Sequence, residues 1–185
     1  MKRFALVTLV VLVMSLVSFA QWRDGSGKIV PDTPSAKSDG DLGAMVDFTD
    51  KPDELYAAWE KASPGVAWSQ TATAVRGKPI VAIVFFTGCA ANPEGNCELV
   101  GRFTTTTPSG KLWGDAIEAD IWVGLPPPGP QSLQLSHGHM GLIVDPDDEL
   151  GKYSVKVELT DRIAKKRMVL ERQFTAIEAP KEPPR

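Results

Sequence analysis

Apolar residues follow strand-like patterns over most of the chain. Residues 80–86 are apolar at every position, which predicts a strand with both faces buried. Residues 117–123 and 153–159 alternate apolar with polar positions, a pattern typical of strands with one face toward a core. Turn residues separate these segments at roughly the eight- to twelve-residue spacing of β-sandwiches and barrels. Further strands are predicted at 44–49, 66–75, 98–107 and 168–175.

One short helix is predicted near the start of this strand-rich region. Leu55 and Trp59 lie at helical spacing, and Pro52 is suited to a first helical turn. Residues 63–65 read Ser-Pro-Gly and end the pattern after about ten residues. We therefore expect a mainly β protein: an antiparallel β-sandwich of about seven strands with one short N-terminal helix, packed through Leu55 and Trp59.

The alternation in residues 117–123 also predicts a surface. Ile117, Ala119, Ile121 and Val123 are expected on one face, and Glu118, Asp120 and Trp122 on the other. Trp122 beside two carboxylates on the outer face, with Trp113 upstream, is a candidate binding surface. The alternative is an exposed aromatic residue without a role, which is common on protein surfaces.

Four regions are predicted along the chain. Residues 1–20 contain a positive start, a fourteen-residue apolar run and a small-x-small site ending at Ala20, the three parts of a secretory signal peptide. The alternative is a short membrane anchor, although about 20 apolar residues are usually needed to span a bilayer. Residues 21–43 are predicted to be a flexible linker, residues 44–177 the domain, and residues 178–185 a disordered tail.

The only two cysteines, Cys89 and Cys97, are predicted to form a disulfide. They flank a turn-forming stretch in a chain with an export signal, and exported proteins pass through oxidising compartments. A redox pair would have the closer Cys-x-x-Cys spacing, and the intervening residues offer few metal ligands. We expect the bridge to connect the buried strand 80–86 to its neighbour. The protein is therefore expected in the periplasm or outside the cell.

Charge limits the partners of the protein. The formal net charge is −3, and it becomes −5 without Lys2 and Arg3. Nucleic-acid binding depends on Lys and Arg neutralising phosphates, so a nucleic-acid partner is not expected. Stable membrane insertion after signal cleavage is not expected either.

His137, His139 and Met140 form the strongest candidate metal site. On an extended segment, residues two apart point the same way, so both imidazoles could reach one copper or zinc ion. The glycines at 138 and 141 favour a plain loop instead, and a third firm ligand is missing. The acidic residues of 145–149 offer oxygen ligands for calcium without the usual calcium-loop spacing.

The sequence has no motif for hydrolytic or phosphate chemistry. It lacks a nucleophile elbow of the G-x-S-x-G kind and a phosphate-binding glycine loop. We therefore expect no catalytic residues, no enzymatic activity and no cofactor. A cleft built from carboxylates on separate strands is an alternative that sequence patterns cannot display.

Residues 151–161, GKYSVKVELTD, resemble the penultimate strand of immunoglobulin-like modules. The resemblance implies an immunoglobulin-like fold in which Tyr153 bonds the backbone of the preceding turn. From residue 44 to 176, the chain also looks like uncharacterised exported bacterial proteins with such a domain. That likeness implies no activity and no site residues.

Together, these patterns predict an exported, non-catalytic module that binds an envelope or extracellular protein or serves as a cell-envelope accessory. The alternative is a periplasmic protein that binds a metal or small ligand through His137, His139 and Met140.

Overall fold

The protein is mainly β, as the sequence predicts, with two five-stranded sheets and one helix in the described part of the chain. The structure, a computed structural model, describes residue 28 and residues 31–61, 66–129 and 132–180. The elements in chain order are β1 (Ala36–Asp39), β2 (Leu42–Thr49), α1 (Pro52–Glu60), β3 (Thr73–Val75), β4 (Pro79–Thr87), β5 (Glu98–Thr106), β6 (Ile117–Val123), β7 (Gln134–Leu135), β8 (Met140–Ile143), β9 (Gly151–Asp161) and β10 (Lys166–Ile177).

The described residues contain ten strands instead of about seven. The strands β1, β3, β7 and β8 have only four, three, two and four residues. Of these, β3 covers only the end of the strand predicted at 66–75, and β1 lies in the predicted linker. The predicted signal peptide, residues 1–20, lies outside the described residues. The predicted tail is described only as far as Pro180.

The first sheet is antiparallel throughout and has β4 at its centre. Strand β2 pairs with one edge of β4, while β7 and β8 pair with the other. Phe86 on one face of β4 belongs to the core between the sheets, whereas Phe85 on the opposite face belongs to a separate cluster that includes Leu55 of α1. The prediction that residues 80–86 are buried on both faces is confirmed.

The second sheet has the strand order β3-β10-β9-β5-β6. Its pairings are antiparallel except for β3, which runs parallel to the end of β10. The prediction of a wholly antiparallel fold is therefore wrong at this edge. Strand β3 is followed by a short turn, in which the N–H of Lys78 donates to the carbonyl of Val75, and then by β4 of the other sheet.

The two sheets pack face to face on a shared hydrophobic core. Phe48 of the first sheet meets Phe174 of the second edge to face, with ring centroids 5.5 Å apart. Phe86 and Trp122 form a second contact across the core at 5.6 Å. Aromatic contacts of this geometry add to the stabilisation from apolar burial.

The predicted linker, residues 21–43, is wrong for residues 36–43. Strand β1 pairs with β2 from Ala36 opposite Met45 to Asp39 opposite Leu42. The polar composition of Lys37 and Ser38 suggested a linker, but an edge strand needs only backbone hydrogen bonds to join a sheet. This segment therefore extends the first sheet.

The sheets are also connected along both lateral edges, which we call seams. At the β4–β6 seam, residues 136–138, named the strap, bond to both sheets. The backbone N–H of Ser136 donates to the carbonyl of Val84, and the N–H of His137 donates to the carbonyl of Ile121. The strap thus joins β4 of one sheet to β6 of the other.

The β2–β10 seam is closed by two short segments. In the first, the carbonyl of Ser35 accepts from Val46 of β2, and that of Pro34 accepts from Glu171 of β10. In the second, Thr71 donates to Phe48 of β2 and the carbonyl of Ala72 accepts from Thr175 of β10. Asp47 and Arg172 lie between these two segments and form an ion pair at 3.0 Å.

Candidate functional site

The glycine between the two candidate metal-binding histidines is required by the strap. The N–H of Gly138 donates to the carbonyl of Asp120 at 2.9 Å. A Cβ atom at position 138 would lie 2.7 Å from that carbonyl oxygen and 2.8 Å from the Cβ of Ala119. These approaches are too close for a side chain. The His-Gly-His pattern therefore reflects the close approach of the strap to β6.

The structure does not bring His137, His139 and Met140 together. The ring of His137 lies 4.6 Å from the Trp122 ring, between centroids, whereas the Nδ1 of His139 lies 3.0 Å from the Tyr56 hydroxyl. Met140 is 3% exposed and packs in the core between the sheets. Among the described residues, no group of three or more His, Cys, Asp or Glu side chains could hold a metal ion.

Tyr56 connects α1 to the strap. Its hydroxyl donates to the carbonyl of Ser136 at 3.1 Å, which leaves the Nδ1–H of His139 to donate to the phenol oxygen. This arrangement satisfies all three groups, because a phenol has one proton and a carbonyl can only accept. Burial raises the pKa of Tyr56, so the hydroxyl stays protonated at neutral pH. The residues therefore form a structural tether.

The prediction that Trp122 lies on the outer face is wrong because β6 contains a bulge. The pairing with β5 shifts between Leu99, opposite Trp122, and Val100, opposite Asp120. The extra residue, Ile121, breaks the alternation, so Trp122 packs against the core. Ile117 and Val123, expected on the inner face, are instead 43% and 38% exposed.

Trp113 and Trp122 do not share a surface. Trp113 packs edge to face on Tyr153 with ring centroids 5.0 Å apart, and its Nε1–H donates to Asp148 at 3.0 Å. Trp122 contacts Phe86 and His137 at the β4–β6 seam. The candidate binding surface built on the two tryptophans is therefore not present.

The acidic corner, residues 145–149, has two carboxylates bonded within the fold. Asp148 accepts from Trp113 and from the backbone N–H of Asp145. Glu149 accepts from the N–H and the hydroxyl of Ser109 at 3.0 and 2.7 Å. These bonds fix the corner against the loop that follows β5, which gives two of the calcium candidates a structural role.

Tyr153 makes the backbone bond that the immunoglobulin-like resemblance implies. Its hydroxyl donates to the carbonyl of Glu149 at 2.7 Å, and its ring stacks on Phe174 at 5.1 Å. Burial, and then the negative charges of Asp148 and Glu149, raise the pKa of Tyr153. The Tyr153 hydroxyl therefore stays protonated at neutral pH and donates its hydrogen bond to this turn.

The predicted disulfide between Cys89 and Cys97 is confirmed, with Cα atoms 5.9 Å apart. The bridge connects the end of β4 to the start of β5, the next strand along the chain, and these two strands belong to different sheets. The bridge closes the loop by which the chain crosses between the sheets. A loop of nine residues gives about 2.6 kcal/mol of stabilisation in the chain-entropy model.

Asp161 is a structural residue that the sequence patterns did not reveal. One carboxylate oxygen accepts from the backbone N–H groups of Ile163 and Ala164, and the other accepts from Ala90 at 2.8 Å. The side chain therefore holds both the β9–β10 turn and the disulfide loop. An Asp at the first position of a turn is a usable signal for part of this role.

Asp47 and Arg172 were also missed as a pair. Arg172 interrupts the inner apolar row of β10, and this interruption is the sequence signal that a partner exists. That partner is 125 residues away in the chain, so local patterns cannot identify it. Burial raises the pKa of Asp47. The hydrogen bond from the backbone N–H of Phe48 and the positive charge of Arg172 act in the opposite direction and lower it.

Within the described part of the chain, no helix is long and apolar enough to cross a membrane.

No protein-family model matches the sequence, and a search of curated proteins finds no match either. Solved structures with some likeness include a family 123 glycoside hydrolase from Clostridium perfringens, at 9% identity and a TM-score of 0.40. That match covers 75% of this chain but only 28% of the hydrolase. Another is the CARDB domain of a Pyrococcus furiosus protein in complex with di-metal ions, at 10% identity and a TM-score of 0.37. It covers 80% of this chain and 99% of that one. Likeness at this level does not support an argument about function.

Proposed function

We propose that the protein is an exported, non-catalytic module with an immunoglobulin-like β-sandwich, which binds a partner protein in the cell envelope or outside the cell. The observation that carries this proposal is that the side chains suited to catalysis or metal binding make contacts that stabilise the fold. Met140 fills the core, Asp148 and Glu149 hold the acidic corner, and His139 bonds to Tyr56. Groups already engaged in structural hydrogen bonds are poor candidates for catalysis or metal binding.

The immunoglobulin-like part of the proposal is supported by the Tyr153 corner. A tyrosine near the start of a late strand, bonded to the backbone a few residues upstream, is a hallmark of these sandwiches. Here the hydroxyl reaches the carbonyl four residues earlier, at Glu149. Two sheets packed on one core are consistent with the same architecture.

The export part of the proposal rests on two features. The disulfide between Cys89 and Cys97 is of the kind that persists in oxidising compartments. The pattern of residues 1–20 fits a cleaved secretory signal. Together they favour the periplasm or the extracellular space.

Exposed apolar side chains around the start of β9 support partner binding. Leu112 is 63% exposed and follows the loop held by Glu149, while Leu150 is 42% exposed and directly precedes β9. Ile177 is 40% exposed and follows Ala176, which pairs with Gly151 at the start of β9. Grouped apolar exposure is more typical of interaction sites than single exposed residues are.

Affinity capture from the native envelope tests this function. We expect the purified protein to retain a stoichiometric partner, and the double variant Leu112→Lys with Leu150→Lys to lose it. Ala57→Lys is the matched control, because Ala57 is an exposed apolar residue of α1, which packs on the outer face of the first sheet and not on β9. Capture without any stoichiometric partner, or with one that both variants retain equally, would contradict the proposal.

A further inference from the structure

The turn between β9 and β10 contains an unusual backbone position. Eight glycines in the described part of the chain have positive φ, and the one other residue there with positive φ is Lys165, at 55°. A Cβ atom makes this left-handed conformation unfavourable, and glycine adopts it freely. The chain therefore carries a lysine where glycine would fold more easily. Strained positions of this kind cluster at functional sites.

The turn is held rigidly by Asp161. Its Oδ1 accepts from the N–H of Ile163 at 3.0 Å and from that of Ala164 at 2.9 Å. Asp161 is 1% exposed, and its Oδ2 accepts from the N–H of Ala90 in the disulfide loop. Side chains on this turn therefore project from a fixed backbone, which lowers the ordering cost of binding.

The turn also presents cations that the fold does not use. Lys166 pairs with Asp39 at 3.5 Å, and Arg167 pairs with Glu158. Arg162 and Lys165 are exposed, and neither forms an ion pair with a described residue. Two cations thus face solvent on either side of Ile163, which is half-buried.

The number of cations without an ion pair on this turn indicates which class of partner it binds. Nucleic acids and anionic membranes bind through broad groups of cations, typically four to eight for lipid surfaces, and the net charge of −3 repels both. Two fixed cations flanking an apolar side chain instead match a short acidic segment of a protein. Such a contact gives register and specificity more than affinity.

We propose that Arg162 and Lys165 dock an acidic segment of the partner protein. The inference rests on the proposed partner-binding function and adds a second contact, at the end of β9 opposite to Leu112 and Leu150. Lys165 is kept at a strained position because its charge contributes to this contact.

A labelled deca-glutamate peptide serves as the probe, with fluorescence anisotropy at low and high salt as the measurement. We expect saturable binding at low salt that disappears at high salt. Lys165→Gly and Arg162→Ala should each weaken it about threefold, as expected for exposed ion pairs. Lys111→Ala, at an exposed lysine of another turn, should bind like wild type.

Thermal stability gives a second, independent readout. Lys165→Gly should raise the melting temperature by about 2–4 °C, because glycine relieves the backbone strain. Lys165→Arg should keep both the peptide affinity and the wild-type melting temperature. A Lys165→Gly variant that binds the peptide equally well, or that melts lower than wild type, would overturn the inference.

The remaining outcomes separate this inference from the proposed function. Binding to phosphatidylglycerol vesicles in place of the peptide, with the same dependence on Arg162 and Lys165, would replace the acidic protein with a membrane. Absence of peptide binding would overturn the docking contact. A native partner that the Lys165→Gly variant still captures would also overturn the contact while leaving the partner-binding function in place.

Discussion

The β4–β6 seam is joined by backbone hydrogen bonds from the strap, whereas the β2–β10 seam encloses the ion pair of Asp47 and Arg172. At the first seam, closure depends on the absence of a side chain at Gly138. At the second, backbone hydrogen bonds flank a carboxylate that is 3% exposed and paired with Arg172. Backbone hydrogen bonds thus join both seams, but the first leaves no room for a side chain and the second encloses two charged groups. The seams should therefore respond differently to added volume, to charge removal and to pH.

The largest effect is expected from Gly138→Ala at the strap. The new Cβ would meet a backbone oxygen of β6, which cannot move without displacing the strand. We expect a loss of about 3 kcal/mol in the free energy of unfolding, at the upper end of overpacking effects. Gly141→Ala is the matched control, because its Cβ would meet nothing within 4 Å. Urea unfolding measures both, and equal stability of the two variants would contradict the role of the strap.

A smaller loss is expected from breaking the ion pair at the other seam. Asp47→Ala leaves the guanidinium of Arg172 without its carboxylate, and Arg172→Met leaves the buried Asp47 unpaired. Each should cost about 2 kcal/mol, less than a fully buried pair because the Arg172 side chain is 31% exposed.

The double variant Asp47→Ala with Arg172→Met sharpens this test. Replacing both charges by apolar groups removes the desolvation cost together with the attraction, so most of the lost stability should return. Urea unfolding of the three variants gives the coupling free energy. Additive losses in the double variant would show that the two side chains act independently.

The pH dependence should distinguish the β2–β10 seam from surface ion pairs. Burial raises the pKa of Asp47 above its ordinary value of 3.8, so the folded state holds that proton more tightly than the unfolded state. Its contribution to stability is therefore largest below pH 3.8 and is lost as the pH rises through the raised pKa. Lys156 and Arg167 have the opposite effect on Glu158, lowering its pKa from 4.5 to about 2. The contribution of Glu158 is therefore present above pH 4.5 and is lost as the pH falls toward 2.

Free energies of unfolding measured between pH 7 and pH 3 test the predicted direction of the pH dependence for both Asp47 and Glu158. As the pH falls, wild type should gain stability relative to Asp47→Asn and lose stability relative to Glu158→Gln. A wild-type advantage over Asp47→Asn that stays constant with pH would show that Asp47 has the same pKa in the folded and unfolded states.

The sequence predicted those features that depend on local pattern. The buried strand β4, helix α1, the disulfide and the Tyr153 corner each have a signal within about ten residues, and each is present. The errors occur where distant segments meet or where the alternation breaks. The bulge turned Trp122 inward, and backbone pairing made a strand of the polar segment 36–39. The strap was interpreted as a possible metal site because its partner β6 is close only in the folded chain.

The smallest effect concerns metal ions at His137, in the strap, and His139, which follows it. His137 contacts Trp122, His139 bonds to Tyr56, and Met140 is buried, so a single ion cannot reach all three without unfolding β8. Zinc or copper added to the purified protein should therefore leave its melting temperature unchanged, since an ion stabilises only the state that binds it. The variant His137→Ala with His139→Ala is the control for nonspecific binding elsewhere. A rise in melting temperature that wild type shows and this variant lacks would mean that the strap rearranges to bind metal, and the β4–β6 seam would then be a ligand-controlled contact between the sheets.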